Sequence, residues 1–317
     1  MFLYKKEMDG IFFKDSKLLY FKNNDIVFHE IKINTEKDIS ANNTNIKSFV
    51  SDQKKIFVRF RYQFFHTILD TLSIILIEHE RNPNVFFVIN IDWHGNDINS
   101  TSHIKYVETV LKRNNIQYEF VKISEENPIE INNFLFFNMY PLHVKAIDAV
   151  AKEALKDSLV VNPNKKVYLS RAKLKTIKEE EVLFGGLDKS KFSSDSDQRI
   201  DNEEQLIEYF NYLGFEIIYT EDFFCMEEQI NFFSQVKTIV SVTTAGLANA
   251  IFMPTGGKVI ELTVPLITYG VESIHNVYQG ISFAKKHKYM SLPTMRSAED
   301  VISIIENDAT VKDFICE

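Results

Sequence analysis

The sequence predicts an α/β fold in two units, each built on a parallel sheet with helices on both sides. Two observations carry that prediction. Apolar runs of strand length alternate with helix-period segments between Arg61 and Asn138, and again between Lys166 and Leu262. Runs such as residues 85–91 and 238–242 carry no charge, as strands buried on both faces require. Bulk properties agree. At 317 residues, with 45% hydrophobic and 13% aromatic content, the chain can fill two cores and is too apolar to stay disordered.

In chain order, residues 1–48 read as short strands (2–4, 10–13, 18–21 and 26–33) joined by polar turns, with a hairpin turn at Asn23-Asn24-Asp25. Residues 61–80 form a helix, because Phe64, Phe65, Ile68, Leu69, Leu72, Ile75 and Leu76 recur at helical spacing. A strand at 85–91 follows the Asn82-Pro83-Asn84 turn, then a helix at 104–114 and strands at 119–123 and 133–138. A helix over 143–157 carries the chain to a second series. That series has strands at 166–170, 215–219, 238–242 and 258–262, and helices at 203–213, 226–233, 245–252 and near 298–307. A polar loop spans 176–198. Three segments result: a β-rich piece, 1–48, packed on the first domain; an α/β domain, 49–157; and a second, 158–317, whose last helix can return to the first.

Charge and cysteine content exclude several classes. A formal net charge of −8 disfavours nonspecific nucleic-acid binding, which needs a basic surface. Cys225 and Cys316 are the only cysteines and lie far apart, so neither a disulfide framework nor a C-x-x-C metal site is expected. No long apolar run follows Met1, so the expectation is a chain without signal peptide or transmembrane segment, in a reducing cytoplasm. No G-x-G-x-x-G follows any expected strand, which argues against a dinucleotide-dependent enzyme.

The densest signal is KTIVSVTTAGLANAIFMPTGGKVIEL, residues 237–262. It reads as strand, short polar loop, small-residue helix start, turn, and a second strand ending in a carboxylate. Thr243 and Thr244 offer hydroxyls and backbone amides where a helix through Ala245, Gly246, Leu247 and Ala248 begins. A helix start exposes unpaired donors and partial positive charge, worth roughly 0.3–1 kcal/mol per anionic contact. Gly246 allows a diphosphate to approach the backbone. An ordinary strand-to-helix turn has the same local sequence, so the turn alone leaves both readings open.

The surrounding residues narrow the choice. Arg199, Asn202-Glu203, Leu206, Leu213-Gly214-Phe215, Glu228-Gln229-Ile230, Phe233, Gly246-Leu247-Ala248-Asn249, Phe252-Met253-Pro254 and Ile260-Glu261 form an ordered set. Over the last third to half of the chain this set resembles glycosyltransferase family 61, whose pattern runs R-x-I-x-N-E, L, GF, E-Q-I, HGAGLAN, F-x-P and V-I-E. The family includes β-xylosyl-, arabinosyl- and N-acetylglucosaminyltransferases that use UDP-sugars. The resemblance implies a GT-B arrangement, two facing Rossmann-like domains with a cleft between them. The C-terminal domain then holds the nucleotide sugar and the N-terminal domain presents the glycan acceptor. One departure stands out: Thr243-Thr244 occupy the family's His-Gly, which removes an imidazole from the donor site.

On that resemblance, Arg171 and Arg199 align with family arginines, and a guanidinium there can bind two phosphate oxygens and balance the charge on a departing UDP. Thr243, Thr244, Ala245, Gly246, Leu247 and Asn249 complete the donor site, with Asn249 bracing the turn and Glu261 accepting from ribose hydroxyls. Glu221, after the strand 215–219, is placed to touch the base. His66 and Asp70 match the family's N-terminal H-x-x-x-D helix motif and lie one turn apart on one face. Either Asp70 fixes the tautomer of His66, which takes the acceptor proton, or Asp70 is itself the base. The same spacing also serves to tie a helix to a neighbouring loop. Asp92, Trp93 and His94 directly follow a strand, and Trp93, the only tryptophan, can stack on an acceptor sugar.

Asp195-Ser196-Asp197 lies in a Ser-rich loop and no D-x-D triplet ends a strand, so no metal is expected and no cofactor beyond the UDP-sugar substrate. The expected activity is inverting, metal-independent transfer of a xylose-, arabinose- or N-acetylglucosamine-type sugar to a glycan hydroxyl. The alternative is a noncatalytic nucleotide- or glycan-binding relative, motivated by Thr243-Thr244.

Overall fold

The computed structural model describes residues 7–12, 20–21, 47–49, 51–60, 64–91, 98–122, 129–137, 144–156, 163–173, 200–263, 275–294 and 297–316. The chain divides into two units, Met1–Ala149 and Val150–Glu317. Expected features at 2–4, 23–25, 26–33 and 176–198 lie outside the described residues.

The first unit holds a seven-stranded sheet of β1 (Glu7–Phe12), β2 (Tyr20–Phe21), β3 (Lys47–Phe49), β4 (Lys55–Arg59), β5 (Phe86–Asn90), β6 (Gln117–Val121) and β7 (Ile129–Phe137). The order is β2-β1-β7-β4-β5-β6, with β3 also on β7. Strands β3 to β7 pair in parallel, while β1 runs antiparallel to β7 and to β2. From β4 the chain moves outward through β5 and β6 and then returns to the other side of β4. The strand order therefore reverses between β4 and β7. Strand β4 lies where sequence periodicity predicts nothing, since only Ile56, Phe57 and Val58 separate Lys55 from Arg59. Both faces of the central strands are buried: Ile56, Val58, Phe87 and Ile89 share a core with Ile74, Ile75, Val107 and Leu111, and Phe57 and Val88 are buried as well. That is why these strands read as nearly continuous apolar runs.

The helix expected over 61–80 is not uniform. Phe64–His66 (α1) and Ser73–Arg81 (α2) are α-helical, and Thr67–Leu72 between them is a π-helix, closed by the Ser73 amide bonding to the Ile68 carbonyl. All six π-helical residues are buried, Thr67, Asp70 and Thr71 included. The unit is completed by α3 (Ile98–Arg113), longer at its start than the spacing predicts. Helix α4 (Val144–Ala154) falls at the division between the units.

The second unit is a five-stranded parallel sheet of β8 (Lys165–Leu169), β9 (Glu216–Ile218), β10 (Val236–Val242), β11 (Lys258–Thr263) and β12 (Lys288–Pro293) in the order β12-β11-β10-β8-β9. Here the order reverses between β8 and β10, the arrangement in which doubly wound sheets place ligands beyond the strand carboxyl ends. Helices α5 (Glu203–Tyr212), α8 (Ala298–Asn307) and α9 (Ala309–Cys316) contribute Leu206, Phe210, Val301, Ile305, Val311 and Ile315 to a core with Tyr168, Val240 and Ile260. Helix α9, the last in the chain, is thus built into the second unit. Helices α6 (Met226–Phe233) and α7 (His275–Ala284) complete the helical complement.

Helix α5 shows how local sequence stops an element. Gly214 adopts φ 80° after Leu213, its amide donates to Asn211, and the Phe215 amide donates to Phe210. The Phe210 and Phe215 rings then meet edge to face at 5.3 Å. This is the Schellman stop, with its apolar clasp across the left-handed glycine.

Candidate functional site

The carboxyl ends of β8 and β10 are neighbours, because Leu169 pairs with Ser241 and the Ser241 hydroxyl donates to the Leu169 carbonyl at 2.8 Å. Arg171 and Thr243 each stand two residues past that pair, so the register sets them side by side where the strand order reverses. The backbone at Arg171 is held by Glu203, at the start of α5. Its Oε1 accepts from the Arg171 amide at 3.0 Å and from the Tyr168 hydroxyl at 3.1 Å. The Arg171 guanidinium itself, half-buried, has no hydrogen-bond or ion-pair partner among the described residues.

The segment after β10 differs from the expected α-helix. Residues Ala245–Ile251 form a 3-10 helix, capped by Thr244, whose hydroxyl accepts from the Gly246 amide at 3.4 Å. The Thr243 amide donates to Leu262. The amides of Thr244 and Ala245 have no partner among the described residues, and Ala245 is exposed. The direction in which Gly246 lacks a side chain is filled by protein: a Cβ there would stand 2.6 Å from Leu169 Cδ2. The glycine thus serves close packing of the turn on β8.

Beneath this loop is a buried polar scaffold. Thr243 Oγ1 donates to Glu261 Oε1 at 2.7 Å, and the Tyr289 hydroxyl donates to Glu261 Oε2 at 2.6 Å. The Tyr278 hydroxyl donates to the Thr244 carbonyl at 2.6 Å. Glu261 is fully buried. The carboxylate expected to accept from ribose is instead engaged on both oxygens by this chain's own hydroxyls. Burial pushes the Tyr278 phenol well up, Glu261 adds to the rise, and the nearby Arg171 charge pulls it back. Burial and the bond to Glu261 likewise raise Tyr289. Both tyrosines therefore stay protonated donors at any working pH. Asn249, fully buried, donates to the Gly246 carbonyl at 2.8 Å and accepts from Gln229 at 2.8 Å, and Leu247 is buried beside it. The expected donor residues thus separate into an accessible set, Arg171, Thr244 and Ala245, and an interior set, Thr243, Leu247, Asn249 and Glu261, that shapes the loop.

Tyr278 and Tyr289 carry no sequence signal. Their partners lie 34 and 28 residues away along the chain. The loop after β8 is also tied to the turn after β9: Lys173 Nζ contacts both Asp222 carboxylate oxygens at 2.6 Å and sits 4.5 Å over the Tyr219 ring.

In the first unit, His66 and Asp70 follow β4, the strand beside which that sheet's order reverses. His66 Nδ1 lies 2.6 Å from Asp70 Oδ2, with the imidazole about a quarter exposed (26%) and the carboxylate nearly buried (8%). With Asp70 ionised, Nδ1 carries the proton and donates, leaving the Nε2 lone pair to accept one. The pair sits where α1 passes into the π-helix, a distortion that frequently marks functional sites.

Arg199 and the acceptor candidates Asp92, Trp93 and His94 lie outside the described residues. Among the described residues no three His, Cys, Asp or Glu side chains cluster as metal ligands, and no helix is long and apolar enough to cross a membrane.

No curated protein matches the chain. The family model described as Glycosyltransferase 61 matches residues 64–260, more than half its length, from just before His66 to just before Glu261. The match spans both places where the strand order reverses, and the chain belongs to glycosyltransferase family 61.

Proposed function

We propose that the chain transfers a sugar from a UDP-sugar to a hydroxyl of a glycan acceptor, with inversion and without a metal ion. In this reading the fold works in the GT-B manner, residues 158–317 holding the donor and residues 49–157 the acceptor. The observation that carries it is the Arg171 guanidinium beside the Thr244 and Ala245 amides, all without hydrogen-bond partners among the described residues, at the point where a doubly wound sheet binds phosphates.

The acceptor oxygen attacks the anomeric carbon from the face opposite UDP, and the bond from that carbon to the diphosphate oxygen breaks. His66 Nε2 takes the acceptor proton while Asp70 holds Nδ1 and balances the imidazolium. Arg171, joined by Arg199, and the two amides offset the charge released on the diphosphate. Asp92, Trp93 and His94 contact the acceptor. Glu261 and Thr243 act beneath the donor as supports for the loop. The transferred sugar is of the xylose, arabinose or N-acetylglucosamine type.

A second reading rests on one observation. Thr243, standing where the resemblance expects an imidazole, is buried and turns its hydroxyl inward to Glu261. A binding protein without turnover has that feature too. Calorimetry with UDP and a UDP-release assay across several UDP-sugars, with and without chelator, separate the cases. UDP binding with chelator-insensitive release supports transfer, binding without release supports the second reading, and absence of UDP binding rejects the donor assignment.

A further inference from the structure

We propose that Glu221 reads the nucleoside of the donor, accepting a hydrogen bond from a base N–H or a ribose hydroxyl. The inference rests on the UDP-sugar reading above and adds to it the residue that recognises the nucleoside. Glu221 lies in the short 3-10 turn Thr220–Asp222 directly after β9. Strand β9 pairs with β8 up to Leu169 opposite Ile218, so the turn stands at the same carboxyl end as Arg171. It also reaches the phosphate loop: the Thr220 methyl lies 3.7 Å from where a Cβ on Gly246 would stand.

The turn is held from both sides of Glu221. Asp222 is paired with Lys173, and the Tyr219 ring lies under the same ammonium. Glu221 alone is left over. It makes no hydrogen bond or ion pair among the described residues; the side chain as a whole is half-buried, and of its two oxygens Oε2 is the one shut off from solvent. The other shielded, unpartnered side-chain atoms among the described residues belong to Thr, Ser, Tyr and His, so Glu221 supplies the only such carboxylate oxygen. Leaving a buried acceptor without a donor is costly, and more so for a charged group. Such a cost persists where a ligand relieves it.

Charge decides which part of the ligand does so. A carboxylate repels a diphosphate, which belongs with Arg171 and the free amides. The donor that meets Glu221 must therefore come from the neutral nucleoside.

The test is calorimetry on the full chain and on Glu221→Ala and Glu221→Gln, using UDP, CDP, 2′-deoxy-UDP and 3′-deoxy-UDP, together with thermal melts. Glu221→Ala should bind UDP about tenfold more weakly, equivalent to about 1.4 kcal/mol, yet melt at the same temperature or higher because the unpaired oxygen is gone. Glu221→Gln, which keeps one acceptor oxygen, should recover part of the affinity. One analogue should bind the unchanged protein as weakly as UDP binds Glu221→Ala, with no further loss in that variant. CDP in that role identifies the base N–H, and a deoxy analogue identifies the corresponding hydroxyl. Unchanged UDP affinity in Glu221→Ala, an equal further loss for all four ligands, or a lowered melting temperature overturns the assignment. If the unchanged protein binds no UDP, the donor reading itself fails; if it binds UDP and Glu221→Ala binds it equally well, only the role of Glu221 fails.

Discussion

The two units reverse their strand order in the same way and place different groups beside the reversal. Beside β4, the chain offers ionisable side chains on a helix, His66 and Asp70, four residues apart and bonded at 2.6 Å. Beside β8, it offers backbone amides and one guanidinium, over a scaffold whose members come from strands and helices far apart in sequence. Proton transfer needs a group whose tautomer and orientation are set by a near neighbour, and a helix supplies that neighbour locally. Holding a diphosphate needs several donors converging from different directions, and only a sheet end with its long-range supports supplies them. The cost falls differently as well. The first site buries polar side chains in a distorted helix, whereas the second buries a carboxylate and satisfies it with hydroxyls.

Four experiments bear on that contrast. Asp70→Asn, which removes the carboxylate that holds the His66 tautomer, should lower turnover by up to about 10²–10⁴, the usual contribution of the general base it positions, while UDP affinity holds. Loss of both together would mean that the pair supports the fold, and the division of labour between the units would fall. Arg171→Ala should lower turnover by about 10²–10³, the scale for one charge-stabilising donor, and also weaken UDP binding. Circular dichroism should show the fold intact. Turnover at the unchanged rate would remove Arg171 from the site.

The units should also differ in acid sensitivity. In the second unit His287 is buried, its Nε2 donates to the Ala250 carbonyl at 2.9 Å, and burial pushes its pKa down to about 4, with Lys285 adding to the fall. The unfolded chain takes up this proton near pH 6.5 and the folded chain near pH 4. Stability is therefore complete above about pH 6.5 and falls as pH drops towards about 4, by about 3 kcal/mol for this one side chain. A urea titration of His287→Gln should show a flatter pH dependence over that window, and a profile identical to the parent would exclude His287 as its source.

The smallest expected effect is at Thr243. Thr243→Val keeps the shape and deletes the donor to Glu261 Oε1. It should cost about 1–3 kcal/mol by removing one hydrogen bond from a fully buried carboxylate, and Thr243→Ser should restore most of it. Equal stability of Thr243→Val and the parent would show that the hydroxyl does not hold the loop.

Legibility in the sequence follows the range of the interactions involved. The His66–Asp70 pair could be read directly because residues one turn apart share a helix face. The double-sided burial of 238–242 was equally visible, since it depends on neighbours along the chain. Strand β4 was not, because its five residues carry a charge at each end and only its partners β5 and β7 make it a strand. The π-helical turn was hidden for a related reason: an apolar residue at helical spacing does not reveal which carbonyl its amide will choose.

The sequence alone therefore determined the alternation of elements, the family and the two candidate patches, because periodicity, turn residues and motif spacing are local quantities. Only the tertiary structure decided that Glu261 faces Thr243 and Tyr289, that Gly246 makes room for Leu169, and that Glu221 is left without a donor among the described residues. Those outcomes depend on which distant side chains reach one point first. A hydrogen bond or a van der Waals contact has no range along the chain, only a range in space.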